Sequence, residues 1–316
     1  GADAREYVVV HNAVPGGLEK TVVERLEMDP TKIKNLKLTG NITTEDYTFM
    51  RSKMTSLQRL NLKEVESVVD GVYKIPSGAF YNKKTLMKCV LPDRLERIEE
   101  NAFYGTVLTG SVVLPEGLKY VSGFRETKIT SVQFPSTLEV IGNSAFDRCS
   151  SLMCEINLPE SIKLIEDSAF NSTGIKGNLS LPHNLESIGS SAFHGCRNLT
   201  GSLVIPDKVK TINNSAFGYC GFTGTLTLPD GLTEIQRSAF SLTSFKGELN
   251  IPSSVTIIGA YAFEMTKFSG TLVLPSELVS LGERVFYNCS RLSGVIEIPE
   301  NILAIPSRLF DGCSKL

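Results

Sequence analysis

Ten prolines, at positions 92, 115, 135, 159, 182, 206, 229, 252, 275 and 299, divide most of this 316-residue chain into segments of 20 to 24 residues. A unit this short cannot enclose its own apolar side chains. A repeat of this period therefore means a stack in which each rung is buried by the next. That requirement settles the class of fold before any single residue is considered.

Alignment on the prolines gives each position a role. Apolar residues stand three and one before Pro, as in Val112 and Leu114, Ile156 and Leu158, Leu203 and Ile205, or Leu272 and Leu274. A small or polar residue lies between them, so the run reads as a short strand with one buried face. Pro lacks an N–H and suits the end of such a strand. A further aliphatic follows three residues after Pro (Leu95, Leu185, Val255) and a second three beyond that (Ile98, Ile188, Ile258). Phe comes eleven after Pro in nine of the ten units, and the column from Phe80 to Phe310 takes eleven of the sixteen phenylalanines. Such a column predicts an offset file of rings, each above its copy in the next rung. Glycine recurs five before Pro (Gly177, Gly201, Gly224, Gly247), where a tight bend must lead into the strand.

The unit LPHNLESIGSSAFHGCRNLTG, beginning at residue 181, resembles the leucine-rich repeats of BspA-like bacterial cell-surface proteins. The likeness spans roughly residues 33–316. It implies a curved, right-handed repeat solenoid with one short strand per rung of ~23 residues, the strands forming a parallel sheet. It further implies export to the bacterial cell surface or outer membrane, often on a lipid anchor, and binding or adhesion in place of catalysis. The ligand class implied is an extracellular protein or glycan. A signal peptide is not among these residues, and on this reading the signal or anchor has been removed, leaving it as the chain's only link to a membrane.

Two segments depart from the repeat. Residues 33–80 carry less regular units with strands expected at Leu36/Leu38 and Leu60/Leu62, which brings the count to about twelve rungs. The unit from Pro115 reads VSGFRET, a shortened loop that predicts a local kink or a flattened outer loop. Residues 1–32 read as an N-terminal cap. Leu18, Val22, Val23 and Leu26 fall on one face of an amphipathic helix that ends at Asp29-Pro30. Glu19, Glu24 and Glu27 on its polar side argue against a membrane-surface helix, which would carry a basic excess.

Cysteine and histidine supply no reactive constellation. Cys149, Cys196, Cys220, Cys289 and Cys313 stand three after the column Phe, where other rungs carry Thr106, Thr127, Thr173, Thr243 and Thr266, or Lys83. A slot shared by Cys and Thr is small and buried, and thiols there behave as small hydrophobes. Neighbouring rungs nevertheless set Cys196 near Cys220 and Cys289 near Cys313, a spacing compatible with a disulfide in an oxidising compartment. No CxxC pair or Cys/His cluster marks a metal site. His183 and His194 read as solvated variants of repeat positions. Acids after Pro (Asp93, Glu116, Glu160, Asp207, Asp230, Glu300) form a row that either keeps an edge soluble or binds cations, the former being favoured. No glycine loop or nucleophile elbow appears, so neither an enzyme nor a cofactor is expected. A net charge of −2 gives no reason for a nucleic-acid partner.

Two candidate binding surfaces remain. The outward positions of the pre-proline strands include Gln133, Glu155, Asn157, Asn178, Ser180, Thr225, Thr227, Glu248 and Asn250, a small, polar face of the kind repeat proteins use for partners. The second is a basic, Tyr-rich cluster in the early units: Tyr73, Tyr81, Lys83, Lys84, Lys88, Arg94, Arg97 and Tyr104. The competing role is a ligand-free spacer that holds an anchor or another domain at the surface.

Overall fold

The computed structural model describes residues 6–316. It contains two compact units, Gly1–Glu139 with Ser144–Leu152, and Val140–Asn143 with Met153–Leu316. Each is a stack of rungs related by parallel pairing of neighbouring copies.

In the first unit β1 (Val8–Asn12), β2 (Asn35–Ile42) and β3 (Arg59–Val69) run parallel, with Val8 opposite Leu36 and Leu36 opposite Leu60. β3 then turns through Asp70 and Gly71, both at positive φ, into the antiparallel β4 (Val72–Ile75). This hairpin starts two ladders. The first half of β3 pairs with the pre-proline strand Lys88–Val90, while β4 pairs with the post-proline strand Arg97–Ile98, which pairs with Tyr120–Val121.

The second unit repeats the post-proline ladder: Val140–Ile141, Leu164–Ile165 and Ser187–Ile188, then Thr211–Ile212, Glu234–Ile235, Ile257–Ile258 and Ser280–Leu281. The pre-proline runs that the sequence marked as strands also pair in parallel, beside this second, post-proline ladder. Pre-proline strands pair only in patches, such as Thr109–Val113 with Lys128–Gln133 and Leu203–Val204 with Leu226–Thr227. Two features interrupt that pairing. Pro cannot donate at one end, and at the other a glycine often stands at positive φ, as Gly177 and Gly201 do. The post-proline strand has both N–H groups available and a fully buried aliphatic, so it forms the longer ladder.

The phenylalanine file is present. In the first unit Tyr47 meets Phe80 edge-on, and Phe80, Phe103, Phe124 and Phe146 stack at 5.1–5.6 Å. In the second, Phe170 to Phe310 stack at 5.4–6.0 Å. A second file, Phe222, Phe245 and Phe268, packs beside it. The shortened unit causes no break in the file. Gly123, at φ +94 and too close to Glu99 O to admit a Cβ, absorbs the missing residues, and Phe124 keeps its place.

The loops around this file are stitched as well. Phe193 N–H donates to Ala216 O and Phe217 N–H to Ala239 O, both at 2.9 Å. On either side of each Phe one residue adopts left-handed backbone, among them Ser168, Ser191, Ser215 and Ser238 two before it. Serine suits this position because its short side chain tolerates the conformation.

The N-terminal segment differs from the helix expected. α1 covers only Leu18–Lys20 and continues as a π-helical turn, Thr21–Arg25, in which Leu26 N–H reaches Thr21 O. The wider turn rotates the later residues off the apolar face, so Leu18 and Val22 are buried while Val23 and Leu26 are exposed. β1, which the sequence did not reveal, covers the edge of β2. A helix also unforeseen, α2 (Thr44–Ser52), brings buried Asp46 to the backbone N–H groups of Gly16, Leu18 and Thr43. No helix among the described residues is long and apolar enough to cross a membrane.

Candidate binding surfaces

Side chains alternate along the pre-proline strands, so burying one face presents the other to solvent. All nine candidates, Gln133 in the first unit and Glu155 to Asn250 in the second, are exposed. Polar neighbours on this face bond from rung to rung. Ser131 Oγ donates to Ser111 Oγ at 2.6 Å, and Thr225 Oγ1 lies 3.2 Å from Ser202 Oγ.

The same face carries apolar side chains that buried columns do not need. Val90 and Val113 stand out in the first unit, and Val204, Val273 and Val295 in the second, with Val204 60% and Val273 75% exposed. Where a valine faces polar neighbours the surface is hollowed. Asn178, Ser180, Ser202 and Val204 border a depression of about 290 Å3 closed by His183 and Pro206. An equivalent hollow of about 340 Å3 in the first unit lies among Val90, Val113 and the Lys63–Asp93 ion pair.

The Tyr-rich cluster divides into separate groups. Arg94 lies 3.8 Å over the Tyr73 ring and donates to its hydroxyl at 2.9 Å. Arg97 lies 4.0 Å over Tyr120 and pairs with Glu99. Tyr81 and Tyr104 stack at 5.3 Å on the Phe-loop side, where Glu126 pushes the Tyr104 hydroxyl pKa up by hydrogen bond and charge. Lys84 is exposed, and Lys88 is exposed on a pre-proline strand.

Lys83 does not join a surface. It occupies the Thr/Cys slot, buried, with Nζ donating to Met54 O at 2.8 Å and Arg51 O at 3.1 Å. Desolvation, then the Arg51 charge, pull its pKa down to about 8. Its place in the Thr/Cys column was the signal that it turns inward.

The slot itself behaves as the column implied. Threonines donate to the Phe carbonyl of their own rung, as Thr106 to Phe103 at 2.9 Å, whereas Cys196 Sγ reaches the preceding rung's Phe170 O at 3.1 Å. All seven cysteines are free thiols. Burial pushes Cys196 up to about 12 and Cys149 up to about 11. The acids after Pro are exposed and bond to neighbouring rungs, as Glu116 with Ser136 at 3.0 Å and Glu160 with His183 at 3.3 Å. No cluster of three metal-ligating side chains occurs among the described residues. His194 corrects the sequence reading of a solvated turn residue, because it is half-buried and desolvation lowers its pKa.

The repeated columns and parallel ladders define a leucine-rich-repeat solenoid. The profile of the BspA type leucine rich repeat region matches in six copies over residues 73–200, 120–245 and 200–316, and the chain belongs to that family. Its fold is similar to a leucine-rich repeat protein from Bacteroides ovatus ATCC 8483, at 23% identity and TM-score 0.56 over 91% of this chain and 78% of that one. A leucine rich cell surface protein from Faecalibacterium prausnitzii A2-165 also matches, at 19% identity and TM-score 0.45 over 88% and 82%. No curated protein matches the chain.

Proposed function

We propose that this chain is a bacterial cell-surface binding module that recognises an extracellular protein or glycan through the exposed face of its pre-proline strands. The supporting observation is the composition of that face in the second unit. Asn178, Ser180 and Ser202 surround exposed Val204 in a shallow hollow, and Thr225, Thr227, Glu248 and Asn250 extend the surface over the next rungs. Stacking needs no valine there, since exposure of that side chain contributes nothing to the buried columns. A polar surface with small apolar centres and no large aromatic anchor fits modest affinity per contact, raised by presenting many copies.

The test is binding of the purified chain to arrays of matrix proteins and glycans, alongside a variant with Asn157, Asn178 and Asn250 each replaced by Arg. The expected result is loss of bound signal with an unchanged melting temperature, because these side chains lie outside the packed columns. Signal retained in the variant refutes the strand-face assignment. A silent wild type favours the ligand-free spacer.

A further inference from the structure

The Phe loops of the second unit contain a pocket that the strand face does not share. Its volume is about 240 Å3, and it exists because one column is interrupted. The position after the column Phe holds Asn171, His194, Ser241, Glu264 and Tyr287 in successive rungs, but Gly218 between His194 and Ser241. Loss of one side chain opens a gap floored by Gly218, Ser215, Ser238 and the buried Ser241.

Aromatic rings form the sides. Tyr219 and Tyr261 occupy the left-handed positions that flank the Phe in the repeat, at φ +56 and +62, and across the rungs from Phe80 to Phe310 they alone put an aromatic ring there. The His194 ring meets Tyr219 edge-on at 5.3 Å, and Arg237 lies 4.8 Å over Tyr261.

The polar groups around this gap alternate in character. Arg237 only donates, and the Glu264 carboxylate only accepts, with Ser241 Oγ on its Oε1 at 3.0 Å. His194 Nδ1 lies 3.2 Å from Asn171 Oδ1, an acceptor, which leaves Nε2 as an acceptor in the neutral ring. Serine hydroxyls do either. An anion would meet the Glu264 carboxylate, and a cation would meet Arg237. A neutral polyhydroxylated ring satisfies both, and its C–H face packs on Tyr. The volume, about eight waters at roughly 30 Å3 each, suits one such ring and not a chain of them.

We propose that this pocket is a subsite for a single neutral pyranose residue, contacted by Tyr219 and Tyr261 and hydrogen-bonded by Arg237, Glu264 and Ser241. The proposal is independent of the strand-face reading, because the two surfaces share no residue.

Saturation-transfer NMR with the methyl glycosides of glucose, galactose, mannose and N-acetylglucosamine tests it. A ligand of this size should bind with a dissociation constant on the order of 1 mM. Tyr261→Ser and Arg237→Asn install residues that neighbouring rungs already carry in those columns, so the rungs should still fold. Each should weaken binding about tenfold or more, while Asn178→Arg on the strand face should leave it unchanged. Absence of transfer from every glycoside up to on the order of 10 mM overturns the proposal. Transfer that persists in both variants, or that inorganic phosphate abolishes at equal concentration, overturns it too.

Discussion

Replacing Phe193 by Ala tests the idea that stability resides in the aromatic file. Phe193 is fully buried and stacks on Phe170 and Phe217, each at 5.4 Å. Truncating a buried Phe costs about 3–5 kcal/mol. Two lost ring pairs, each ~0.5–1.5 kcal/mol beyond area, place this site at the upper end, about 5 kcal/mol. Phe310 provides the contrast, being half-buried with one stacked neighbour at 5.9 Å. Its truncation should cost about 1–2 kcal/mol. Urea unfolding followed by far-UV circular dichroism gives the two midpoints. Because long repeat arrays can depart from two-state behaviour, amide exchange at Ala192 and Phe217 should accompany it. Exchange should quicken locally in Phe193→Ala and stay at parental rates there in Phe310→Ala. Equal midpoint shifts in the two variants would refute the stacking account.

Lys83 makes stability depend on alkaline pH. Its folded pKa of about 8 lies below the ordinary 10.5, so between these values the unfolded chain binds more protons and stability rises with pH. The rise has a ceiling of about 3 kcal/mol, and Lys83→Thr should remove it, as read by urea midpoints from pH 7 to 10.5. Identical pH profiles for the variant and parent would disprove the buried-amine assignment. Thiol accessibility follows from the same slot. The five column cysteines should resist Ellman's reagent in the native protein and react on unfolding, since burial disfavours the thiolate. Rapid native reaction of Cys196 would contradict its placement.

The buried half of the molecule was legible because stacking imposes one residue type per column. Phe eleven after Pro in nine of ten units, and Thr or Cys three beyond it, repeat for a reason that any rung reveals. The pre-proline strands were legible because proline marks a strand's end conspicuously, whereas a post-proline strand of two residues, such as Ser187–Ile188, leaves only one buried aliphatic as its trace. The N-terminal segment was harder still. β1 has no copy with which to align, and the π turn after Lys20 shifts a helical phase that a periodicity of 3.6 assumes. Lys83 was misread by charge while its column had already given its position.

Exposed columns obey a different rule. A residue outside the packed files affects its own rung and its neighbours, so a surface can change without cost to the stack. Conserved geometry in the buried columns thus makes each departure on the surface informative. Gly218 is such a departure, because a column that otherwise carries side chains drops one and exposes a floor of serines. A Cβ at Gly218 would stand 3.2 Å from both His194 Cδ2 and Ser238 O, so even a small residue there presses on the pocket's lining. The gap at Gly218 and the ring of Tyr261 come from different rungs and different columns. Their meeting in one place is therefore not a by-product of the repeat, and it is this coincidence that separates a built pocket from an ordinary irregularity in the loops.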